Sequence, residues 1–337
     1  MNRRAVIEEA IGETRAAVYE GRRLVELYVR RHTREVPHAG DIYTGQVITV
    51  DPSVAGVFIE VGAGKPGLLK FSAQKDLPKL TDGMFIDVNI VKAAMTGKGP
   101  NLSYAGEASA SKIGAVKALS LPERLEMIYP GIKIENAPIS VIDEACDRQV
   151  AIKGGGSVTF EQTQALLAID VDKGGIATVL DACLGAAETI AAQLRLRGLG
   201  GLIIMDFPNL RQPKQRTTLM KALEREFAND PVITRMAPLS KFGVIEMTRS
   251  QAGPSLDSIL NDRKGEPTTE TLAIRALRRL EREAKLNAGA QFELFVPKAI
   301  KIWLDTTDFD WVSRLNNRIG ARYTIVEGAN VDVKADR

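Results

Sequence analysis

The spacing of hydrophobic and polar positions changes several times along the chain, and each change marks a predicted element. Residues 1–38 alternate in two runs, "RAVIEEA" and "TRAAVYEGRRLVELYVRR", at the two-residue period of strands with one buried face. "YEGRR" interrupts the second run as a hairpin turn would, so a strand-rich arm is expected there. Over 39–106 the texture becomes short apolar runs punctuated by glycine, proline and aspartate, as in "DIYTGQVITVDP" and "AGVFIEVGAGKPGLLKFS". Five strand-length runs without a helical period predict a small closed β-barrel, with Gly45, Gly56, Gly62 and Gly67 at its tight bends.

Residues 107–156 hold no sustained period. Their small-residue start reads as a linker followed by a shortened bridge, and "GGG" at 154–156 marks a boundary. Over 157–255 the periods alternate: hairpin strands in "SVTFEQTQALLAIDVD", a helix in "ATVLDACLGAAETIAAQLRLRGLGG", a strand in "LIIMDF", and a helix in "QPKQRTTLMKALEREFAND". Two further strands follow in "VITRMAP" and "GVIEMTR". Leu180, Cys183, Ala187, Ile190 and Leu194 form the buried stripe of the first helix, and Gly198 ends it. This is the pattern of an α/β layered domain. In 256–337 a polar tract precedes a charged amphipathic helix and a run of β, α and β texture, which predicts a small α+β domain.

Composition then narrows the chemistry. A net charge of +3 barely favours a polyanionic partner, so local placement has to decide. The only cysteines, Cys146 and Cys183, form no CxxC pair, which excludes a disulfide framework and a structural zinc site. Both histidines, His32 and His38, lie in the arm, so histidine chemistry is absent from the rest of the chain. No apolar run is long enough to span a membrane, and the acidic "MNRRAVIEEAIGETRAAVYEG" is not a signal peptide, so a cytoplasmic location is expected.

Two core strands end in acids: "LLAIDVD" runs into Asp170 and Asp172, and "LIIMDF" into Asp206. A strand–helix–strand unit lays its strands parallel, and ligand sites gather at their carboxyl ends. If the strands are neighbours, Asp170 and Asp206 meet about 5 Å apart, where two carboxylates repel by roughly 3 kcal/mol at an effective dielectric near 20. A shared proton, an arginine or a divalent cation would offset this. Mg²⁺ prefers carboxylate oxygens and keeps several waters when few are offered. The alternative is that these aspartates only cap the turns that follow.

"LLAIDVD", "ETIAAQLRLRGLGGLIIMDF" and "LSKFGVIEMTRSQAGPSL" closely resemble the bacterial ribonuclease E/G family, and the likeness extends through "DIYTGQVITVDPSVAGVFIEVGAGKPGLL" of the barrel. The resemblance implies a multidomain α/β and β fold: an S1 (OB-type) barrel, an α/β catalytic domain of DNase I-like kind and a small α+β domain. It implies that Asp170 and Asp206 bind a catalytic Mg²⁺, with Asp172 standing where the family has an asparagine. It also implies an RNA-facing barrel surface at Phe58 and Lys98, while a second family phenylalanine is Leu68 here. Aromatic stacking beside a basic groove suits single-stranded RNA, and Lys65, Lys70 and Lys92 extend that description. The alternative for Phe58 is a place in the barrel core.

Arg195, Arg197, Lys214 and Arg216 flank the second acidic strand and are expected to hold phosphates, with helix-end charge as the alternative for the first two. Lys241 and Phe242 in "SKFG" stand where the family has an Arg-Phe pair; core packing is the alternative for the ring. The tract after "PSL" has no cysteine, so a zinc-linked dimer is excluded and any homo-oligomer would use another interface. The bridge is far shorter than in the family, so 5′-end sensing and much of the RNase H-like scaffold are not expected. The expected activity is Mg²⁺-dependent endoribonuclease hydrolysis of single-stranded RNA, leaving 5′-phosphate and 3′-hydroxyl ends. The lack of histidine near the acids agrees with a metal route. The rival expectation is a non-catalytic RNA-binding or ribosome-associated protein that keeps the scaffold.

Overall fold

The alternation at the start of the chain is realised as three antiparallel strands: β1 (Arg3–Ala10), β2 (Glu13–Glu20) and β3 (Arg23–Arg31). A computed structural model describes residues 3–73, 77–95, 97–251 and 253–336. Next come β4 (Ile42–Asp51), β5 (Gly56–Glu60), β6 (Gly67–Lys70), β7 (Phe85–Lys92) and β8 (Asn101–Glu107). Their hydrogen bonds close a ring in the order β4, β5, β6, β8, β7 and back to β4. Val47, Val57, Ile59, Leu69, Ile86 and Val88 fill this barrel. Gly45 is required by its interior, since a Cβ there would lie 2.6 Å from the Ile59 side chain. A short strand, β9 (Gly114–Lys117), flanks β4.

The chain then returns to its first sheet. Helix α1 (Leu121–Ile128) opens with a capping box between Ser120 and Glu123, and β10 (Lys133–Asn136) pairs parallel with β1. Among the described residues the sheet order is β10-β1-β2-β3. One face packs Ala5, Ile7, Val18 and Tyr129 with Leu121 and Leu125 of α1. The sequence reading separates 1–38 from 107–156, whereas the structure joins parts of both in one sheet. A helix of eight residues and a strand of four are too short to impose a readable period, so this scaffold escapes detection.

The α/β region contains β11 (Gln149–Ala151), β12 (Ser157–Gln162), β13 (Leu167–Asp172), α2 (Val179–Leu196), β14 (Gly201–Asp206), α3 (Pro213–Phe227), β15 (Thr234–Met236) and β16 (Val244–Arg249). Its sheet order is β11-β12-β13-β14-β16-β15. Cys183, Ile190 and Leu194 of α2 and Leu219 and Leu223 of α3 join the inward side chains of the strands in one core. Both helices therefore cover the same face. Gly198, at φ +64°, ends α2 as the sequence predicts.

After β16 the polar tract is not wholly loop: α4 (Leu256–Leu260), capped by Ser255, buries Leu256 and Leu260 against β3 and Ile142. The rest comprises α5 (Thr269–Leu286), β17 (Gln291–Val296), α6 (Lys298–Thr306), α7 (Trp311–Ile319), β18 (Tyr323–Glu327) and β19 (Asp332–Asp336). Strand β17 lies between parallel β18 and antiparallel β19. Among the described residues no helix is long and apolar enough to cross a membrane.

A buried knot of charge ties the first sheet to α5. Arg15, fully buried, donates to Glu8 at 3.0 Å and to the Ile139 carbonyl at 2.6 Å, and pairs with Asp143 at 3.4 Å. Arg278 of α5 bridges Glu13 of β2 and Asp143, the latter at 2.6 Å, while Arg275 reaches Asp143 at 3.0 Å. Arg275 and Arg278 of α5 thus serve as ion-pair partners for the first sheet and for the Asp143 segment.

Candidate active site

Parallel pairing of β13 with β14 places Asp170 and Asp206 as register partners, with Cα atoms about 5 Å apart by strand spacing. Strand alternation turns Ile169, Val171 and Met205 into the core beneath the helices. Asp170, Asp172 and Asp206 therefore project from the uncovered face, where all three are exposed. Gln149, Thr159, Asp170, Asp206 and Val244 follow one another across five adjacent strands as a single row.

Among the described residues neither Asp170 nor Asp206 has a hydrogen bond or ion pair. Capping does not explain them. It explains Asp172, whose Oδ1 accepts the Gly174 N–H at 3.0 Å and closes the turn before α2. Among the described residues no group of three or more His, Cys, Asp or Glu side chains is placed to hold a metal ion. The donor set is two unshared carboxylates open to solvent. That suits a hard cation that completes its shell with water, and it does not suit an ion needing an all-protein cage.

Two loops leave the sheet at this end. The first follows Asp206 into α3, whose first turn contains no acid and whose N-cap Gln212 makes no side-chain cap. Lys214 is exposed there, and its ammonium has no partner among the described residues. Arg216 is tethered, its Nε donating to the Leu210 carbonyl at 2.7 Å. The second loop is Ser240–Val244, joined to the first where the Phe207 N–H meets the Gly243 carbonyl at 3.3 Å. Phe242 at its tip is 91% exposed, so the core alternative for this ring fails.

Arg195 and Arg197 do not face the aspartates. Arg195 donates to Glu26 at 2.9 Å and to Glu20 at 2.8 Å, which fixes α2 to the first sheet. Burial alone would lower its pKa; the hydrogen bonds to Glu20 and Glu26 outweigh burial and push it up. Arg197, 1% exposed, binds Gln193, the Asp147 carbonyl and Asp257, and lies over the Phe160 ring. The expectation that this pair holds phosphate is corrected. The side chains are consumed by contacts that a linear reading near the acids does not reveal.

On the barrel, Phe58 lies between buried Val57 and Ile59 on the strand's outer face and is only half-buried. It is the register partner of Leu68, Leu68 of Asn101, and Asn101 of Lys92, so one row crosses four strands. Lys65 donates to the Gly97 carbonyl at 3.0 Å, bringing together the loops that contain Lys65 and exposed Lys98. Asn101 is a member that sequence reasoning missed; no signal short of the β6–β8 register would have found it.

Residues 109–252 match the family model described as the Ribonuclease E/G family. Both aspartates and both loops lie inside that stretch; the barrel strands lie outside it. Ribonuclease G of Haemophilus influenzae is 30% identical over 191 residues, which cover 52% of this chain and 38% of that protein. Ribonuclease G of Escherichia coli K12 is 29% identical over 173 residues, 47% of this chain and 35% of that protein. Ribonuclease E of Escherichia coli K12 is 32% identical over 202 residues, 56% of this chain and 19% of that protein. The matched stretch thus spans at most 38% of the length of any of these three relatives. This shared stretch, which frames the acidic pair, is where the chain is similar to the ribonuclease E/G family.

Proposed function

We propose that the chain is a Mg²⁺-dependent endoribonuclease that cleaves single-stranded RNA in the cytoplasm and leaves 5′-phosphate and 3′-hydroxyl ends. One observation carries the reading: two partnerless carboxylates are fixed side by side on an open sheet face. Asp170 and Asp206 would hold the ion. A bound Mg²⁺ supplies an activated water and neutralises a phosphoryl oxygen. Lys214 supplies a mobile cation near the strand ends, and the open first turn of α3 favours an anionic group.

The closed barrel is read as the S1 (OB-type) module and the six-stranded sheet as the DNase I-like catalytic domain. Phe58 offers a stacking face, and Lys92, Lys65 and Lys98 offer cations that track the phosphate backbone. Stacking recognises unpaired bases of any sequence, which supports single-stranded RNA as the substrate. A homo-oligomer, if formed, would use an interface without zinc.

The test is cleavage of an unstructured RNA with and without Mg²⁺. Asp170→Asn and Asp206→Asn should abolish cleavage and keep RNA binding. The second reading, a non-catalytic RNA-binding protein, is favoured by one observation: the site offers two carboxylates, with Asp172 engaged in its own turn. Tight RNA binding by the wild type without Mg²⁺-dependent cleavage would select it.

A further inference from the structure

The loop Ser240–Val244 spends five residues on presenting one aromatic ring to water. Ser240 N–H donates to the Val244 carbonyl at 2.9 Å, and Gly243 N–H to the Ser240 carbonyl at 3.2 Å. Ser240 Oγ accepts the N–H groups of Phe242 at 3.3 Å and Val244 at 3.1 Å. Gly243 holds φ +87°, which a side chain would strain. The loop is therefore braced by its own hydrogen bonds. Phe242, at 91%, is the most exposed large hydrophobic side chain among the described residues.

Its position relative to the acids is fixed by register. Val244 is the partner of Asp206, at about 5 Å for antiparallel strands. Phe242 is two residues further on, so its Cα lies no more than about 13 Å from that of Asp206. The flanking residues are Lys241, which is exposed, and Gly243, and Leu239 packs against the core instead. A protein-binding hot spot sits in a well-packed apolar patch. An isolated, braced ring beside a cation has the form of a surface on which nucleobases stack.

We propose that Phe242 is a stacking platform for one unpaired nucleobase adjacent to the phosphate that a cation at Asp170 and Asp206 would hold. The site then selects an unstacked, single-stranded nucleotide on its own account, separately from the barrel. The placement of the phosphate rests on the nuclease reading above, and the measurement is chosen to be independent of it.

The probe is a short single-stranded RNA containing 2-aminopurine, titrated into the full chain with EDTA present so that metal-dependent cleavage does not intervene. Stacking predicts quenched fluorescence, an affinity about fivefold to a hundredfold lower in Phe242→Ala, and recovery of both in Phe242→Trp. Phe242→Leu keeps apolar area without a π face and should not recover them. Phe242→Ala that binds and quenches like the wild type overturns the proposal. So does quenching that survives in Phe242→Ala and disappears in Phe58→Ala, which would assign stacking to the barrel alone. A change in sedimentation with RNA binding intact also overturns it, assigning the ring to a protein contact. Mg²⁺-dependent cleavage by the wild type is read separately. Its absence would defeat the nuclease reading while Phe242-dependent quenching still supported the platform.

Discussion

Asp170 and Asp206 are held side by side by parallel strand pairing, and among the described residues neither has a protein partner. Charges about 5 Å apart repel by about 1 kcal/mol in water and about 3 kcal/mol at an effective dielectric of 20. Asp206→Asn should therefore stabilise the metal-free protein by about 1 kcal/mol, given the exposure of the pair. It should also remove most of the rise in Tm caused by millimolar Mg²⁺. Cleavage should fall by more than the roughly 10–100-fold that follows loss of an outer partner of a metal ligand. Calorimetry with and without Mg²⁺, beside the cleavage assay, checks all three outcomes.

Arg195→Met should behave as a stability variant. Its guanidinium satisfies Glu20 and Glu26, the latter nearly buried. Breaking a buried pair typically costs about 3–5 kcal/mol because the remaining charge is stranded. Urea denaturation should show a loss of this order, reduced by the partial exposure of Glu20, while the folded variant should bind RNA as the wild type does. A large loss of RNA affinity without a loss of stability would show that the pairing is not its role.

Phe58→Ala separates surface from core. Removing a core phenylalanine costs about 3–5 kcal/mol of stability. Because Phe58 is on the outer face of β5, we expect a smaller loss in urea denaturation and an RNA-binding loss of about 1–3 kcal/mol. Lys92→Ala should weaken binding more evenly across sequences and reduce the salt slope by about 0.7, the single-strand value for one phosphate contact.

Acid should destabilise the fold through His38. Burial, reinforced by Arg124 and Arg30, lowers its pKa to about 4, while Asp41 opposes the shift. The unfolded chain binds the proton near pH 6.5, so it is protonated before the folded one. Stability is complete above about pH 6.5 and is lost as the pH falls toward 4, at up to about 1.4 kcal/mol per unit. Between pH 7 and pH 5 the wild type should lose about 1–2 kcal/mol through this group. His38→Gln should flatten that part of a urea-midpoint profile; an unchanged slope would remove His38 as its cause.

The acidic pair was legible because two strong local signals coincide: apolar strand runs and an amphipathic helix of fitting length between them. Once β13 and β14 are parallel neighbours, alternation and register follow. The fates of Arg195, Arg197 and Asp172 were not legible for the same physical reason in each case. A polar side chain's role depends on what reaches it, and Glu20 and Glu26 are supplied from more than 160 positions away. Asp172 differs only by a turn geometry that places Gly174 N–H within reach. The first sheet was half legible: its meander alternates clearly, whereas β10, fully exposed, leaves no apolar pattern to read.

The ion-pair knot around Arg15 sets the order in which a growing polypeptide can settle. The barrel needs only residues 42–107, so it can close early in translation. Arg15 must wait for Asp143, and Glu13 for Arg278. Until those arrive, the sheet made first holds charges it cannot bury. A ribosome stalled before residue 278 would thus display a finished barrel on an unfinished foundation, and the earliest-made strands would be the last to become protease-resistant.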